Sequence, residues 1–246
     1  MNRNTQKIES KHFRDDGYVE VVDVWKTIQG EGPFTDKSAV FVRMAGCNIL
    51  CPGCDSDYTT NRRWEVPIHL SKVIDEMDTR LVVLTGGEPF RQNIWDLVRY
   101  LNVKGKIVQI ETNGTIWTDP PETEYFFSSD GERVFSLHPH HTIRIVCSPK
   151  TSGVHKTISR LCHDWKYVIK AGHTDPEDGL PNEVLGRVTD VARPPELPFG
   201  GNTIYIQPMD EGDEELNKKN VQAAVDICLK FDYILSLQTH KIIGMP

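Results

Sequence analysis

Three cysteines, Cys47, Cys51 and Cys54, fall in one short loop, Ala45-Gly-Cys-Asn-Ile-Leu-Cys-Pro-Gly-Cys-Asp-Ser56, with the spacing C-x3-C-x2-C. Thiolates this close can converge on one cubic iron–sulfur cluster. A 4Fe–4S cube is normally held by four cysteines. No fourth cysteine follows at a ligand-like spacing, so one iron keeps an open position where a small molecule can bind and react. Zinc is the alternative, but it wants four ligands, usually in two pairs. Asp55, adjacent to Cys54, is poorly placed to be the fourth. A disulfide framework suits small secreted chains, not 246 residues with a polar start. Cys147, Cys162 and Cys228 stand alone and read as small buried hydrophobes.

Other short strings could serve the same site. Thr85-Gly-Gly-Glu-Pro89 follows an apolar run, and its glycines let backbone approach a ligand closely. Thr27-Ile-Gln-Gly-Glu-Gly32, Arg43, Ser148-Pro-Lys150, Tyr205-Ile-Gln-Pro-Met-Asp210 and Gln238-Thr-His-Lys241 each lie at or beside the end of a candidate strand. Each string is weak alone. In this order, anchored by the cysteine loop, they make the chain resemble the radical S-adenosylmethionine (SAM) enzymes and, within them, the 7-carboxy-7-deazaguanine synthase family. The resemblance runs from about residue 18 to the C-terminus.

That resemblance implies a 4Fe–4S cluster on Cys47, Cys51 and Cys54, with SAM chelating the open iron through its amine and carboxylate. Gly87, Ser148, Pro149, Lys150, Gln207, Pro208, Met209 and Asp210 match the family's SAM contacts. Ile28, Gln29, Gly30, Thr85, His240 and the terminal carboxylate of Pro246 match its contacts to the substrate, 6-carboxy-5,6,7,8-tetrahydropterin. Arg43 would hold the substrate carboxylate, because its planar fork suits that group. The bland alternatives are a surface ion pair for Arg43, a satisfied strand-end histidine for His240 and a frayed tail for Pro246. Glu111 and Asn113 could also face the pocket.

The family also uses Mg2+, held by a hydroxyl two residues after the last cluster cysteine, usually threonine. Here that residue is Ser56, with Asp55 and Asp57 as competitors for a hard cation. Gly53 stands where many relatives carry an aromatic near the SAM adenine. The implied reaction is a radical ring contraction of the pterin to 7-carboxy-7-deazaguanine with loss of ammonia, on a queuosine-type deazapurine route. The implied partners are an electron donor such as flavodoxin or ferredoxin and a second copy of the chain, as a homodimer. The rival readings are a glycyl-radical-enzyme activase, whose substrate is a protein and which uses the same cysteine spacing, a zinc-bound scaffold module, and a relative that binds SAM without turnover.

The elements that must position these residues alternate. β-branched or apolar runs at 18–25, 38–43, 81–85, 106–111, 142–147, 165–169, 203–206 and 233–238 predict strands. Ser71 predicts the cap of a short helix carrying Val73, Ile74 and Met77. Ile94, Leu97, Val98 and Leu101 make a helical stripe, and 214–231 predicts the longest helix, with Leu216, Val221, Ala224, Val225 and Cys228 inward. Alternation argues for parallel βα units, whose strand ends carry ligand sites. The family's architecture is an incomplete (βα)6 barrel with parallel strands. The irregular stretches at 115–141 and 172–200 predict helices shortened or replaced. Residues 1–17 read as a flexible extension and 18–246 as a single core domain.

A net charge of −7 argues against a broad nucleic-acid surface. No apolar run approaches a membrane span, and the polar start lacks a signal peptide's apolar core, so the expected location is cytoplasmic. His138, His140 and His141 lack a carboxylate or cysteine at ligand spacing and read as a solvated loop.

Overall fold

The computed structural model describes residues 4–14, 16–121, 125–127, 133–135, 143–162, 164–196 and 201–245. Among the described residues thirteen strands form: the eight expected ones, most of them within a residue or two of the expected bounds, and five short ones, at 63–65, 125–127, 133–135, 183–184 and 187–188, that the sequence reading lacks. They are β1 (Val19–Ile28), β2 (Ser38–Met44), β3 (Arg63–Glu65), β4 (Leu81–Gly86), β5 (Ile107–Thr112), β6 (Tyr125–Phe127), β7 (Arg133–Phe135), β8 (Ile143–Cys147), β9 (Asp164–Ile169), β10 (Glu183–Val184), β11 (Arg187–Val188), β12 (Thr203–Pro208) and β13 (Ile234–Leu235). Nine of them build one sheet in the order β13-β12-β9-β8-β5-β4-β2-β1-β3. From β2 to β13 the neighbours pair in parallel, while β1 pairs antiparallel with β2 and with β3. The sheet is open, and its parallel strands follow one another in chain order without reversal.

The helices are α1 (Pro67–Glu76), α2 (Trp95–Val103), α3 (Lys156–Leu161), α4 (Glu214–Phe231) and α5 (Thr239–Ile242). One large apolar cluster contains Val40, Val42, Leu84 and Ile110 of the sheet together with Leu70, Ile74, Leu97, Leu101, Ile158 and Ala224 of the helices. Ala39, Leu81 and Val83 form a smaller second cluster with Phe34 and Phe41. That is why β4 reads as an unbroken apolar run: its side chains are buried on both faces. The described residues between β5 and β8, and between β9 and β12, hold short hairpins, β6–β7 and β10–β11, in place of a helix.

Several expectations need correction. Helix α1 starts a turn earlier than Ser71, with Pro67 in its first turn, where a missing N–H costs nothing. Ser71 instead donates to the Ile68 carbonyl, and Val73 faces solvent. In α4 the buried positions are Asn220, Ala224 and Ile227, while Leu216 and Val221 are exposed. Asn220 turns inward because its amide donates to Met209 O and its oxygen accepts from Ala171 N. The last strand is only Ile234–Leu235, exposed at the sheet edge, and Gln238 precedes the short α5. Backbone and side-chain groups of residues 4–12 bond to the cysteine loop and to Arg91. Pro246, His138, His140, His141 and Thr142 lie outside the described residues. No helix among the described residues is long and apolar enough to cross a membrane.

Candidate functional site

A cavity of about 480 Å3 opens at the carboxyl edge of the parallel strands, within the range of small-molecule sites. Its walls come from successive strand ends: Thr85 to Gly87 at the end of β4, Glu111 to Asn113 at β5, Ser148 and Lys150 after β8, Lys166 and Val168 on β9, Gln207 and Asp210 at β12, and Gln238, His240 and Lys241 near the end of the chain. Ile28, Gln29 and Glu31 enter from the β1–β2 connection, which is tied across to the chain's end by Thr239 N donating to Gly30 O and Gly32 N to Ser236 Oγ.

Cys47, Cys51 and Cys54 all line this cavity; the first two are buried and the third is half-buried. Burial pushes the Cys47 thiol up to about 12. A thiol must lose its proton to ligate, and a bound cation reverses that penalty. Among the described residues no three His, Cys, Asp or Glu side chains meet where one ion could sit. Zinc needs its ligands drawn to about 2.0–2.3 Å around one centre. The three thiols face one common cavity, as ligands of a single multi-iron group must.

Gly87 lies against the cysteine loop. A Cβ there would meet Gly46 O at 1.9 Å, so only glycine lets the two backbones approach. Gly87 N donates to Met44 O and Glu88 N to Gly46 O, locking the Gly-Gly turn to the loop. Beneath the turn, Glu88 is fully buried; its carboxylate accepts from Phe90 N, Thr112 Oγ1 and Asn113 N. Burial pushes it up to about 7 against those donors.

Of the residues matched to SAM contacts, Gly87, Ser148, Lys150, Gln207 and Asp210 line the cavity, while Pro149, Pro208 and Met209 do not. Met209 is core, with its N–H on Ile169 O. Lys150 Nζ donates to Ser148 O at 2.7 Å, and burial lowers its pKa, opposed by the neighbouring thiols. Asp210 is held near 2 by the Gly212 N–H, Lys241 and Asn217.

Of the residues matched to substrate contacts, Ile28, Gln29, Arg43, Thr85 and His240 line the cavity, and Gly30 packs behind His240, whose Nδ1 lies 2.0 Å from where a Gly30 Cβ would stand. Arg43 lies over the Trp25 ring at 5.0 Å. Its Nε, Gln207 Oε1 and His240 Nδ1 are buried without a hydrogen-bond partner among the described residues. Unsatisfied buried polar atoms are costly, and a polar ligand here would satisfy them. Burial lowers the pKa of His240, favouring the neutral ring.

Sequence reasoning brings Glu111 to the pocket, where it does line the cavity, but misses the charges of Lys166 and Glu31 that complete a charged floor with it. Lys166 Nζ contacts Glu31 Oε2 and, at 3.2 Å, Glu111 Oε2. Gln238 donates to Glu31 at 2.8 Å, and Gln29 and Gln109 donate to Glu111 at 3.2 and 2.8 Å. Burial opposes ionisation of Glu31, but the Lys166 charge with the Lys166 and Gln238 hydrogen bonds outweighs it and holds the carboxyl near 2. Burial likewise works against the Lys166 ammonium, and the charges of Glu111 and Glu31 overcome it and raise its pKa. One signal was available: a lysine inside Asp164–Ile169, where all six residues are buried. Leu185 was missed too. It lines the cavity at φ 49, a left-handed conformation that costs a leucine about 1–2 kcal/mol, and its carbonyl accepts from Gly53 N.

Ser56 lines the cavity beside Asp55. Of the competing carboxylates, Asp55 is paired with Lys241 at 3.1 Å, and Asp57 accepts from Thr59 N and Thr60 N. Lys241 also bonds Asp210 at 3.0 Å, so one cation links the cysteine loop, the end of β12 and α5.

Comparison with known proteins fits this geometry. Residues 28–126 match the model of a 4Fe–4S single cluster domain. The chain is 39% identical over 239 residues to a 7-carboxy-7-deazaguanine synthase of Rhodospirillum rubrum, covering 91% of each. The chain belongs to the 7-carboxy-7-deazaguanine synthase family. A second synthase of that name, from Hyperthermus butylicus, is 44% identical over 239 residues, covering 93% of this chain and 94% of its own. The crystal structure of QueE from Escherichia coli superposes with a TM-score of 0.63 at 21% identity, over 89% of this chain and 93% of that one. At that identity the likeness speaks for the fold alone. It agrees with the mixed, mostly parallel sheet of this family member.

Proposed function

We propose that the chain is a SAM-dependent 4Fe–4S enzyme that contracts 6-carboxy-5,6,7,8-tetrahydropterin to 7-carboxy-7-deazaguanine with loss of ammonia, in 7-deazapurine (queuosine-type) biosynthesis. The observation that carries the reading is the meeting of Cys47, Cys51, Cys54, Gly87 and Arg43 around one cavity. Family membership supports it. When bound, the cluster and SAM would supply the electron and the carbon radical that takes a hydrogen from the pterin, with a hydrogen returned after the ring contracts so that loss of ammonia leaves the reaction redox-neutral.

The chain's own residues bind, orient and exclude water. Cys47, Cys51 and Cys54 hold the cluster. The Gly86–Gly87 backbone, Ser148, Lys150, Gln207 and Asp210 hold SAM, and Leu185 gives apolar cover where Gly53 has no side chain. Pro149, Pro208 and Met209 act on the SAM side through backbone shape. Arg43 clasps the substrate carboxylate, with His240 beside it in the cavity wall. Ile28, Gln29, Gly30, Thr85, Glu31 and Glu111 read the amide-rich edge of the bicycle. Orientation is most of the task, because a misplaced carbon radical attacks the nearest C–H bond.

Ser56 provides the hydroxyl for Mg2+. The ion pair of Asp55 with Lys241 and the turn bonds of Asp57 leave Ser56 the less encumbered oxygen. The strands β2, β4, β5, β8, β9 and β12 are the six of an unclosed (βα)6 barrel, with hairpins replacing two helices. Residues 18–246 form its single core domain. Exposed Leu216 and Val221 on α4 and Ile234 and Leu235 on the edge strand give a homodimer an apolar face. A reducing cytoplasm and a flavodoxin or ferredoxin donor suit an oxygen-sensitive cluster. A protein-activating role has less support, since the charged floor of Lys166, Glu31 and Glu111 suits a small polar heterocycle. Anaerobic incubation with SAM, reductant, Mg2+ and the carboxytetrahydropterin tests the reading. SAM cleavage that depends on the pterin is expected; cleavage that depends on a polypeptide would overturn it.

A further inference from the structure

The segment before β1 does more than lead into the fold. Cys47 to Tyr58 has almost no regular secondary structure, so its backbone groups need partners from elsewhere. At its base Gly46 N donates to Tyr58 O at 2.9 Å, pinching the loop shut. Across its back runs the N-terminal segment. Asn4 N donates to Pro52 O at 2.8 Å, and Asn4 Nδ2 to Cys51 O at 3.1 Å and Tyr58 OH at 3.3 Å. Gln6 Nε2 donates to Ser56 O at 2.8 Å, while Gln6 Oε1 accepts from Tyr58 N at 2.9 Å and Thr59 Oγ1 at 3.1 Å. Glu9 N donates to Cys47 O at 2.7 Å, and Ile8 makes a parallel bridge with Cys47.

The far end of the segment is fixed to the sheet. Arg91, 2% exposed, donates to Ser10 O at 3.0 Å and to Ala45 O at 3.1 Å. The Glu9 carboxylate takes a two-pronged contact from Arg62 at 2.6 and 3.0 Å, and Arg62 in turn holds Glu20 of β1 at 2.5 Å. The segment is therefore anchored at one end and lies along the ligand loop at the other. It touches the backbone at or beside Cys47, Cys51 and Ser56, and none of residues 4–10 lines the cavity.

We propose that residues 4–10 are a strap that holds the cysteine loop in its cluster-binding shape, with Asn4 and Gln6 as its positioning residues. The inference rests on the cluster reading above. Groups that orient metal ligands from behind change metal affinity about 10–100-fold when lost. A loop tied on one side only, at Gly46–Tyr58 and at Gly53–Leu185, opens more often than one tied along its back.

The test uses the full chain, reconstituted anaerobically with iron and sulfide, and compares it with Asn4→Ala, Gln6→Leu and the double variant. Arg14→Ala is the control, since Arg14 lies on the same extension but bonds Asp16 rather than the loop. The readouts are the rate of iron loss to a chelator, followed by the cluster's visible absorbance, the spin-resonance signal of the reduced cluster, and the melting temperature of the iron-free protein. Expected are about tenfold faster iron loss and a changed reduced-cluster signal in the double variant, with smaller steps in the single ones. The iron-free melting temperature and the Arg14→Ala rates stay as in the parent. Unchanged iron loss overturns the strap. So does faster loss matched by an equal fall in iron-free stability, which is general loosening. If the double variant does not fold, the single variants decide by the same criteria. A parent chain that takes up no iron overturns the cluster reading and the strap together, which separates that failure from the strap's own.

Discussion

Replacing Lys166 with methionine should expose how the floor of the site is balanced. The Lys166, Glu31 and Glu111 side chains are 7%, 12% and 17% exposed, so the triad carries a net negative charge largely out of water. Without the ammonium, two largely desolvated carboxylates keep only the amides of Gln238, Gln29 and Gln109. Breaking a buried pair by removing one partner costs about 3–5 kcal/mol, or a melting temperature lower by roughly 6–20 °C in a domain of this size. The pH dependence fixes the sign. In the parent, the Glu31 carboxyl is held near 2, below its ordinary 4.5, so its contribution is complete above pH 4.5 and is lost as pH falls towards 2. In Lys166→Met the facing carboxylates repel, and one takes up a proton well above 4.5. The gap between parent and variant therefore widens from pH 5 to pH 8. Adding Glu31→Gln to Lys166→Met should recover about 1–3 kcal/mol at pH 8. Thermal melts of the iron-free proteins at both pH values measure this. A loss under about 1 kcal/mol, or a gap larger at pH 5 than at pH 8, would refute the reasoning.

Other substitutions test other parts of the site. Gly87→Ala puts a Cβ 1.9 Å from Gly46 O, which must retreat by about 1.5 Å to reach ordinary contact; iron bound per chain should fall, with a stability loss of about 1–3 kcal/mol. Arg43→Lys keeps the charge but loses the fork, so kcat/KM for the pterin should drop about 10–100-fold, or 1.4–2.8 kcal/mol, while SAM binding by calorimetry is unchanged. Ser56→Ala should abolish stimulation by Mg2+, and Ser56→Thr should keep it, as a titration of rate against Mg2+ will show.

Most of the fold could be read from the chain because buried parallel strands leave unbroken apolar runs. Leu81–Gly86 and Asp164–Ile169 appear within a residue or two of where such runs predict them. The inward face of α4 could not be read by counting hydrophobes, since Asn220 is buried for its hydrogen bonds and Leu216 is left outside. The last strand was overread because its residues lie at an exposed edge, where pairing stops after Leu235. The cysteine loop and the Gly-Gly turn announce themselves by spacing. The Lys166–Glu31–Glu111 floor does not, because it joins β9, β5 and the β1–β2 connection, which are far apart in sequence. The N-terminal segment's partners are mainly backbone groups of a distant loop, and composition carries no trace of those.

The most direct test of the account is an anaerobic turnover with SAM, reductant, Mg2+ and 6-carboxytetrahydropterin deuterated at C6. The account predicts 7-carboxy-7-deazaguanine by mass spectrometry, with deuterium at the 5′ carbon of SAM and of the 5′-deoxyadenosine released from it, because loss of ammonia alone is redox-neutral and the abstracted hydrogen must be given back. Deazaguanine absent from an enzyme with its full complement of iron and sulfide, or 5′-deoxyadenosine formed without the label, would contradict it.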